Sequence, residues 1–201
     1  MNTTDSRAPA VDIPAKRDLI RYVQWFDNAL DASLCQRMID SFQQLSRLQT
    51  RNERGSIKAL TSSAWTELNV SKVADASFEG LFREQIQRYL DLYNERTGLT
   101  LPVPARDRLE NLRIKRYLVE ASDQFQPHFD ALDYTCNRYM VFLWYLNDVS
   151  EGGETEFCDL DIRVSACAGR LLMFPPYWMF QHAGLPPRSN DKYIISTYLL
   201  F

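Results

Sequence analysis

Residues 139–146 read Tyr-Met-Val-Phe-Leu-Trp-Tyr-Leu, apolar at every position. Such a run predicts a strand buried on both faces, because a strand with one wet face would alternate polar and apolar residues. The segments around it are short and similarly built. Leu112–Ile114, Tyr117–Val119 and Phe125–Phe129 read as strands before it. Glu154–Phe157 follows the Gly152–Gly153 turn, and Ile162–Val164, Arg170–Phe174 and Tyr193–Leu200 follow in order. Seven or eight short strands punctuated by Gly, Pro, Asn and Asp are the pattern of an antiparallel sandwich or barrel.

The first half of the chain has a different rhythm. Residues 1–16 lack periodicity and read as a flexible tail. Leu19–Phe26 alternates loosely, as a short strand would. Asp31 or Ser33 can cap a helix in which Leu34, Met38, Ile39, Phe42 and Leu45 recur at helical spacing. Residues 49–63 are rich in Arg, Asn, Ser and Gly and read as a loop. A second helix is expected from Val73 to Glu95, closed by Gly98, Pro102 and Pro104. The expectation is an α+β protein: one domain over 17–201, with 17–104 mainly helical support and 105–201 a β core.

Composition narrows the functional classes. A chain of 201 residues suits one domain with a single sizeable core. The formal net charge of −3 offers no general attraction to nucleic acid, and no concentrated basic patch is visible. No apolar run is long enough to cross a bilayer. The four cysteines, Cys35, Cys136, Cys158 and Cys167, include no Cys-x-x-Cys pair. Without an apolar export segment in the first residues they read as reduced thiols, and a cytoplasmic protein is expected.

Only two histidines are present, and both fall in the β half. His128 and Asp130 lie two apart on an expected strand, so they project to one face and can share one ion. His182 lies far downstream, at the end of an expected strand after Pro175–Pro176. Two histidines and one carboxylate leave coordination positions open, which suits non-haem iron(II) enzymes. Zinc with an open water position is the second metal for such a set, although zinc sites draw more on three histidines or on cysteines. A His-x-Asp triplet alone is a weak pattern, and its neighbours decide its meaning.

Those neighbours carry a resemblance. Tyr117, PHFD (Pro127–Asp130), WYLND (Trp144–Asp148), EGGETEF (Glu151–Phe157), GRLLMFPP (Gly169–Pro176) and the stretch from Gln181 to Leu199 occur in an order and spacing that resemble the prolyl 4-hydroxylase-like branch of the iron(II)/2-oxoglutarate-dependent oxygenases. The resemblance implies a double-stranded β-helix, or jelly-roll, core braced by the N-terminal helices. It implies His128, Asp130 and His182 as the catalytic iron ligands. It also implies Lys192, ten residues past His182, as the cation for the distal carboxylate of 2-oxoglutarate. Tyr145 would set its hydroxyl against that same carboxylate, and Tyr117 would stand near the chelating end. Arg138 reads instead as a charge at a ladder edge.

The reaction implied is dioxygen-dependent hydroxylation of a C–H bond coupled to conversion of 2-oxoglutarate to succinate and carbon dioxide, with ascorbate as a possible stimulant. Halogenases of the superfamily leave the carboxylate position to a small residue, so Asp130 implies hydroxylation. The substrate would be a prolyl residue in a peptide or protein, or an amino-acid-like small molecule. Residues 49–63 and 131–137 stand where they could cover the site. Two departures accompany the match: Tyr117–His128 lacks a Gly-containing turn, and Val141 stands where a polar residue is common. A nucleic-acid demethylase of the superfamily and a non-catalytic jelly-roll that binds metal and 2-oxoglutarate are the rival readings.

Overall fold

Two aspartates set where the helices begin. In the computed structural model, which describes residues 19–201, Asp31 caps helix α1 (Ala32–Gln44) by accepting from the main-chain N–H groups of Ser33 and Leu34. Asp75 does the same for α2 (Ala76–Thr97) through Phe78 N–H, so this helix starts three residues later than the apolar period suggests. Gly98, at φ +58°, closes it in the left-handed region with its N–H on Asn94 O. The tail expected at residues 1–16 lies outside the described residues.

Eleven strands follow in chain order: β1 (Gln24–Phe26), β2 (Thr50–Asn52), β3 (Trp65–Asn69), β4 (Arg113–Tyr117), β5 (Phe125–His128), β6 (Arg138–Tyr145), β7 (Thr155–Phe157), β8 (Ile162–Val164), β9 (Leu171–Phe174), β10 (His182–Gly184) and β11 (Lys192–Leu200). They form a seven-stranded sheet in the order β1-β9-β6-β11-β4-β3-β2 and a four-stranded sheet in the order β5-β10-β7-β8, antiparallel throughout. The eight strands from β4 onward make the double-stranded β-helix. The N-terminal half adds more than helices, since β1, β2 and β3 extend the larger sheet at its two edges.

Strand β6 explains the layering. Met140, Phe142 and Trp144 pack with Phe42, Phe82, Ile86 and Leu90 of the two helices. The alternate residues Val141, Leu143 and Tyr145 pack with Phe157, Leu172 and Phe174 between the sheets. One strand therefore serves two cores, and a polar residue at any of these positions would be buried.

Three differences from the sequence expectation have local causes. Residues 50–52, inside the expected loop, form an exposed edge strand held by pairing with β3, which shows no apolar alternation of its own. The strand expected to resume at Tyr117–Val119 stops at Tyr117. Asp123 takes the Leu118 N–H and Asp191 takes the Val119 N–H, so side-chain carboxylates replace the ladder. His182 begins a strand rather than ending one; β10 is three residues long and is bonded on both sides, to β5 and β7.

The segment 49–63 is clamped beside the β4–β5 connection. Arg51 makes a bidentate pair with the buried Asp123, Arg54 donates to the carbonyls of Ala121 and Ser122, and Ala64 N–H donates to Gln124 O.

Candidate active site

His128 ends β5, His182 begins β10, and the two are register partners across the antiparallel pair. Partners of this kind project to one face, and the ring centroids lie 4.4 Å apart. Asp130 sits just past β5 rather than on it, fixed by its N–H on Pro176 O. Its carboxylate oxygens lie 3.6 Å from His128 Nε2 and 3.5 Å from His182 Nε2. One ligand atom from each of the three residues lies within 4.8 Å of the others.

The hydrogen bonds leave these atoms bare. His128 Nδ1 meets Gln126 O at 2.7 Å and His182 Nδ1 meets Phe180 O at 3.1 Å. A carbonyl only accepts, so a neutral ring carries its proton on Nδ1 and presents a lone pair on Nε2. Asp130 Oδ1 accepts from the Tyr198 hydroxyl at 3.0 Å, whereas Oδ2 is buried with no hydrogen-bond partner among the described residues. Two lone pairs and an orphaned carboxylate oxygen converging in a buried place repel one another unless a cation stands among them. The donor set fits a divalent metal. Burial pushes the pKa of His182 down to about 4, keeping it a neutral ligand at neutral pH. Burial alone would raise Asp130, but His182, His128 and Arg138 hold it well below the usual carboxylate range.

A supporting set of residues escaped the sequence reading. Arg138 is no ladder-edge charge. It grips Glu110 with two bonds of 2.6 Å, donates to Asp130 O at 3.1 Å, and lies 3.8 Å from the Tyr198 ring centroid. Thr135 Oγ1 also donates to Asp130 O, at 2.7 Å. Tyr198 could have been found by counting in twos from Lys192, since positions 192, 194, 196 and 198 of β11 all face the cavity.

That cavity has a volume of about 440 Å³ including its open mouth. His128, Asp130 and His182 line it together with Tyr117, Lys192, Thr155 and Ser196, and its apolar walls include Val141, Leu143, Phe174 and Ile194. Lys192 is 2% exposed and makes no hydrogen bond or ion pair among the described residues. Burial pushes its pKa down to about 7, with Glu154 pulling the other way. Its Nζ lies 5.3 Å from the Tyr117 ring centroid and 5.6 Å from that of Tyr145. Five of the six expected site residues thus face one cavity. Tyr145 adjoins Lys192 from the core, but its hydroxyl donates to Thr155 Oγ1 at 2.7 Å, and Thr155 is the residue that faces the cavity.

Comparison with known proteins agrees with this architecture. No curated protein matches the chain in sequence. A viral collagen prolyl hydroxylase from Paramecium Bursaria Chlorella virus-1, solved with 2OG, superposes with a TM-score of 0.60 at 19% identity, covering 88% of this chain and 94% of its own. A Pseudomonas putida prolyl-4-hydroxylase superposes at 0.66 and 14% identity, over 89% and 92% of the two chains. A Trichoplax adhaerens prolyl hydroxylase, solved with a hypoxia inducible factor oxygen degradation domain peptide fragment, also gives 0.66, at 13% identity over 90% and 84%. At these identities the likeness concerns the fold. The sequence pattern of the 2OG-Fe(II) oxygenase superfamily matches residues 112–200, the stretch that holds the triad, Lys192 and all eight strands of the double-stranded β-helix. Residues 112–200 of the chain thus match the 2OG-Fe(II) oxygenase superfamily, and the fold around them is the one seen in the solved prolyl hydroxylases.

Proposed function

We propose that this protein is an iron(II)- and 2-oxoglutarate-dependent oxygenase that hydroxylates an aliphatic C–H bond of a proline-like substrate, either a prolyl residue in a peptide or an amino-acid-like small molecule. The observation that carries the reading is a cavity with two complementary electrostatic demands. At one place three bare ligand atoms call for a cation, and at another the buried Lys192 ammonium calls for an anion. A metal ion chelated by a dicarboxylate answers both. The peptide bound in the Trichoplax adhaerens neighbour supports a peptide as the substrate.

In this reading His128 and His182 hold iron through Nε2, and Asp130 supplies the only anionic ligand. Bound iron and 2-oxoglutarate supply the oxidising chemistry, with one oxygen atom of O₂ entering the C–H bond and the other entering succinate as carbon dioxide leaves. Tyr198 keeps Oδ1 of Asp130 occupied, so that Oδ2 faces the ion. Arg138 and Thr135 hold the Asp130 backbone in place. Lys192 pairs with the far carboxylate of 2-oxoglutarate as a compact charge. Tyr117 flanks that cosubstrate, and Tyr145 acts on it through Thr155. Val141, Leu143, Phe174 and Ile194 exclude water from the reacting atoms. A cytosolic location suits the four cysteines, all unpaired thiols; no helix among the described residues is long and apolar enough to cross a membrane.

The test is succinate formation from 2-oxoglutarate with iron(II) and ascorbate, combined with mass spectrometry for one added oxygen among proline-containing peptides and free amino acids. Absence of succinate under all these conditions would favour a binding module without turnover.

A further inference from the structure

A second cation, Lys115, lines the same cavity and has no part in the reading above. It lies on β4 two residues before Tyr117, so both project to the cavity face. Its register partners are Ile194 on β11 and Glu67 on β3, while Lys192 is the partner of Tyr117. Lys115 therefore sits one inward-facing step along the sheet from the level of Lys192.

A lysine opposite a glutamate on an antiparallel neighbour usually closes an ion pair. Here none forms among the described residues: Glu67 Oε1 accepts from Arg113 at 2.9 Å and Oε2 from the Trp65 indole at 2.9 Å, which turns the carboxylate toward those donors. The Lys115 ammonium makes no hydrogen bond among the described residues either. It stands 5.3 Å from the Trp65 ring centroid and 5.4 Å from that of Phe125. Those two rings stack at 4.6 Å, and Phe125 stacks in turn on His128 at 3.7 Å. An ammonium with three open donors thus fronts an aromatic wall that runs directly to a metal ligand.

We propose that Lys115 binds substrate, and that the molecule oxidised carries a carboxylate held by this ammonium against Trp65 and Phe125. The inference rests on the oxygenase reading given above. A single ammonium matches a monoanion better than a phosphate, which would call for more than one cation. The carboxylate can belong to a free amino acid or to an acidic side chain beside a target proline.

The test uses full-length protein loaded with Mn(II) and N-oxalylglycine, an unreactive analogue of 2-oxoglutarate. Matched acid and amide pairs are titrated: L-proline with L-prolinamide, and short peptides bearing Glu-Pro with their Gln-Pro counterparts. Paramagnetic relaxation of the ligand protons reports approach to the metal. The acid member of one pair is expected to be relaxed and its amide not, with the responding pair identifying free acid or peptide. Lys115→Met should weaken binding of that acid by about 10- to 100-fold, the range for losing a charged hydrogen-bond partner. Lys115→Arg should retain it, and affinity for N-oxalylglycine should stay unchanged in both variants. Equal binding of acid and amide, approach by no member, or a Lys115→Met effect confined to N-oxalylglycine would each overturn the assignment. Succinate formation by the same protein in any of those cases leaves the oxygenase reading standing, whereas its absence removes both.

Discussion

Replacing Lys192 by Met keeps the length and apolar stem of the side chain and deletes only the charge, and it should act on stability and on binding with opposite signs. The ammonium is 2% exposed and unpaired among the described residues, and burial moves its pKa from the ordinary 10.5 to about 7. A gap that wide corresponds to about 5 kcal/mol against the ligand-free fold. Because folding lowers the pKa of a cation, the penalty is complete below about pH 7 and fades as pH rises toward 10.5. Lys192→Met should therefore raise the urea midpoint of the ligand-free protein near neutral pH, and this advantage should vanish at about pH 10. In the proposed reading the same change also removes the partner of the cosubstrate carboxylate. Loss of a charged hydrogen-bond partner is worth about 1.5–3 kcal/mol, so the apparent KM for 2-oxoglutarate should rise about 10- to 100-fold. Tyr117, Tyr145, Thr155 and Glu154 are the groups that face or flank this lysine. Burial raises both tyrosines well above 10, which leaves the lysine to titrate near neutrality. In the wild type, KM should accordingly climb with pH above about 7, and Lys192→Arg should flatten that dependence. Succinate release measures KM, and equilibrium unfolding measures the midpoint. A lower midpoint together with an unchanged KM would refute the assignment.

Asp130→Ala removes the only carboxylate of the proposed ligand set and should abolish hydroxylation and iron retention; activity persisting in a metal-clean assay would remove Asp130 from the set. Tyr198→Phe deletes the 3.0 Å bond to Oδ1 and should weaken iron(II) binding by about tenfold, the lower end for such supporting contacts, as read by competition with a chromogenic chelator. Tyr145→Phe breaks the bond to Thr155, a neutral pair worth about 1 kcal/mol, so the requirement for 2-oxoglutarate should rise far less than for Lys192→Met. Gly169 has φ +76°, and a Cβ there would stand 2.3 Å from Leu30 O. Gly169→Ala should therefore lower the thermal midpoint, by strain on the order of 1–3 kcal/mol, without changing KM for 2-oxoglutarate.

What could be read in the sequence was what a single strand records about itself. The unbroken run at Tyr139–Leu146 announced a strand between two layers, and the helices and their approximate caps followed from apolar spacing. The missed pieces owe their existence to partners. Thr50–Asn52 has no pattern until β3 lies beside it, and His182–Gly184 is too short to show a period and is bonded from both sides. The site divides the same way. The triad and Lys192 stand at spacings that a familiar pattern exposes, and the structure brings all four to one cavity. Arg138, by contrast, looked like an edge charge because its value lies in reaching Glu110, Tyr198 and the Asp130 carbonyl, contacts that depend on cross-strand register. Lys115 was invisible for a related reason: which side chains meet its cross-strand Glu67 depends on register, and Arg113 and Trp65 are the ones that donate to that carboxylate.

The three charged demands of the cavity can be weighed against the alternative that they serve the fold. A structural ion pair satisfies its members within the protein, as Arg51 and Asp123 do beside the site and as Arg138 and Glu110 do behind it. Asp130 Oδ2, Lys192 and Lys115 have no such partner among the described residues, although acidic and basic groups stand nearby in each case. Leaving a buried or half-buried charge unpaired opposes folding, and Asp130 and Lys192 are buried while Lys115 is half-buried, so a fold arranged only for stability would join these groups or replace them with apolar ones. Here they are held apart on one cavity surface, each aimed at a different place. That separation matches three ligand groups of opposite charge: a metal ion at Asp130, the distal carboxylate of the cosubstrate at Lys192, and a carboxylate of the substrate at Lys115. If so, metal and cosubstrate added together should stabilise the protein by more than the sum of each alone, because the cosubstrate binds partly through the ion.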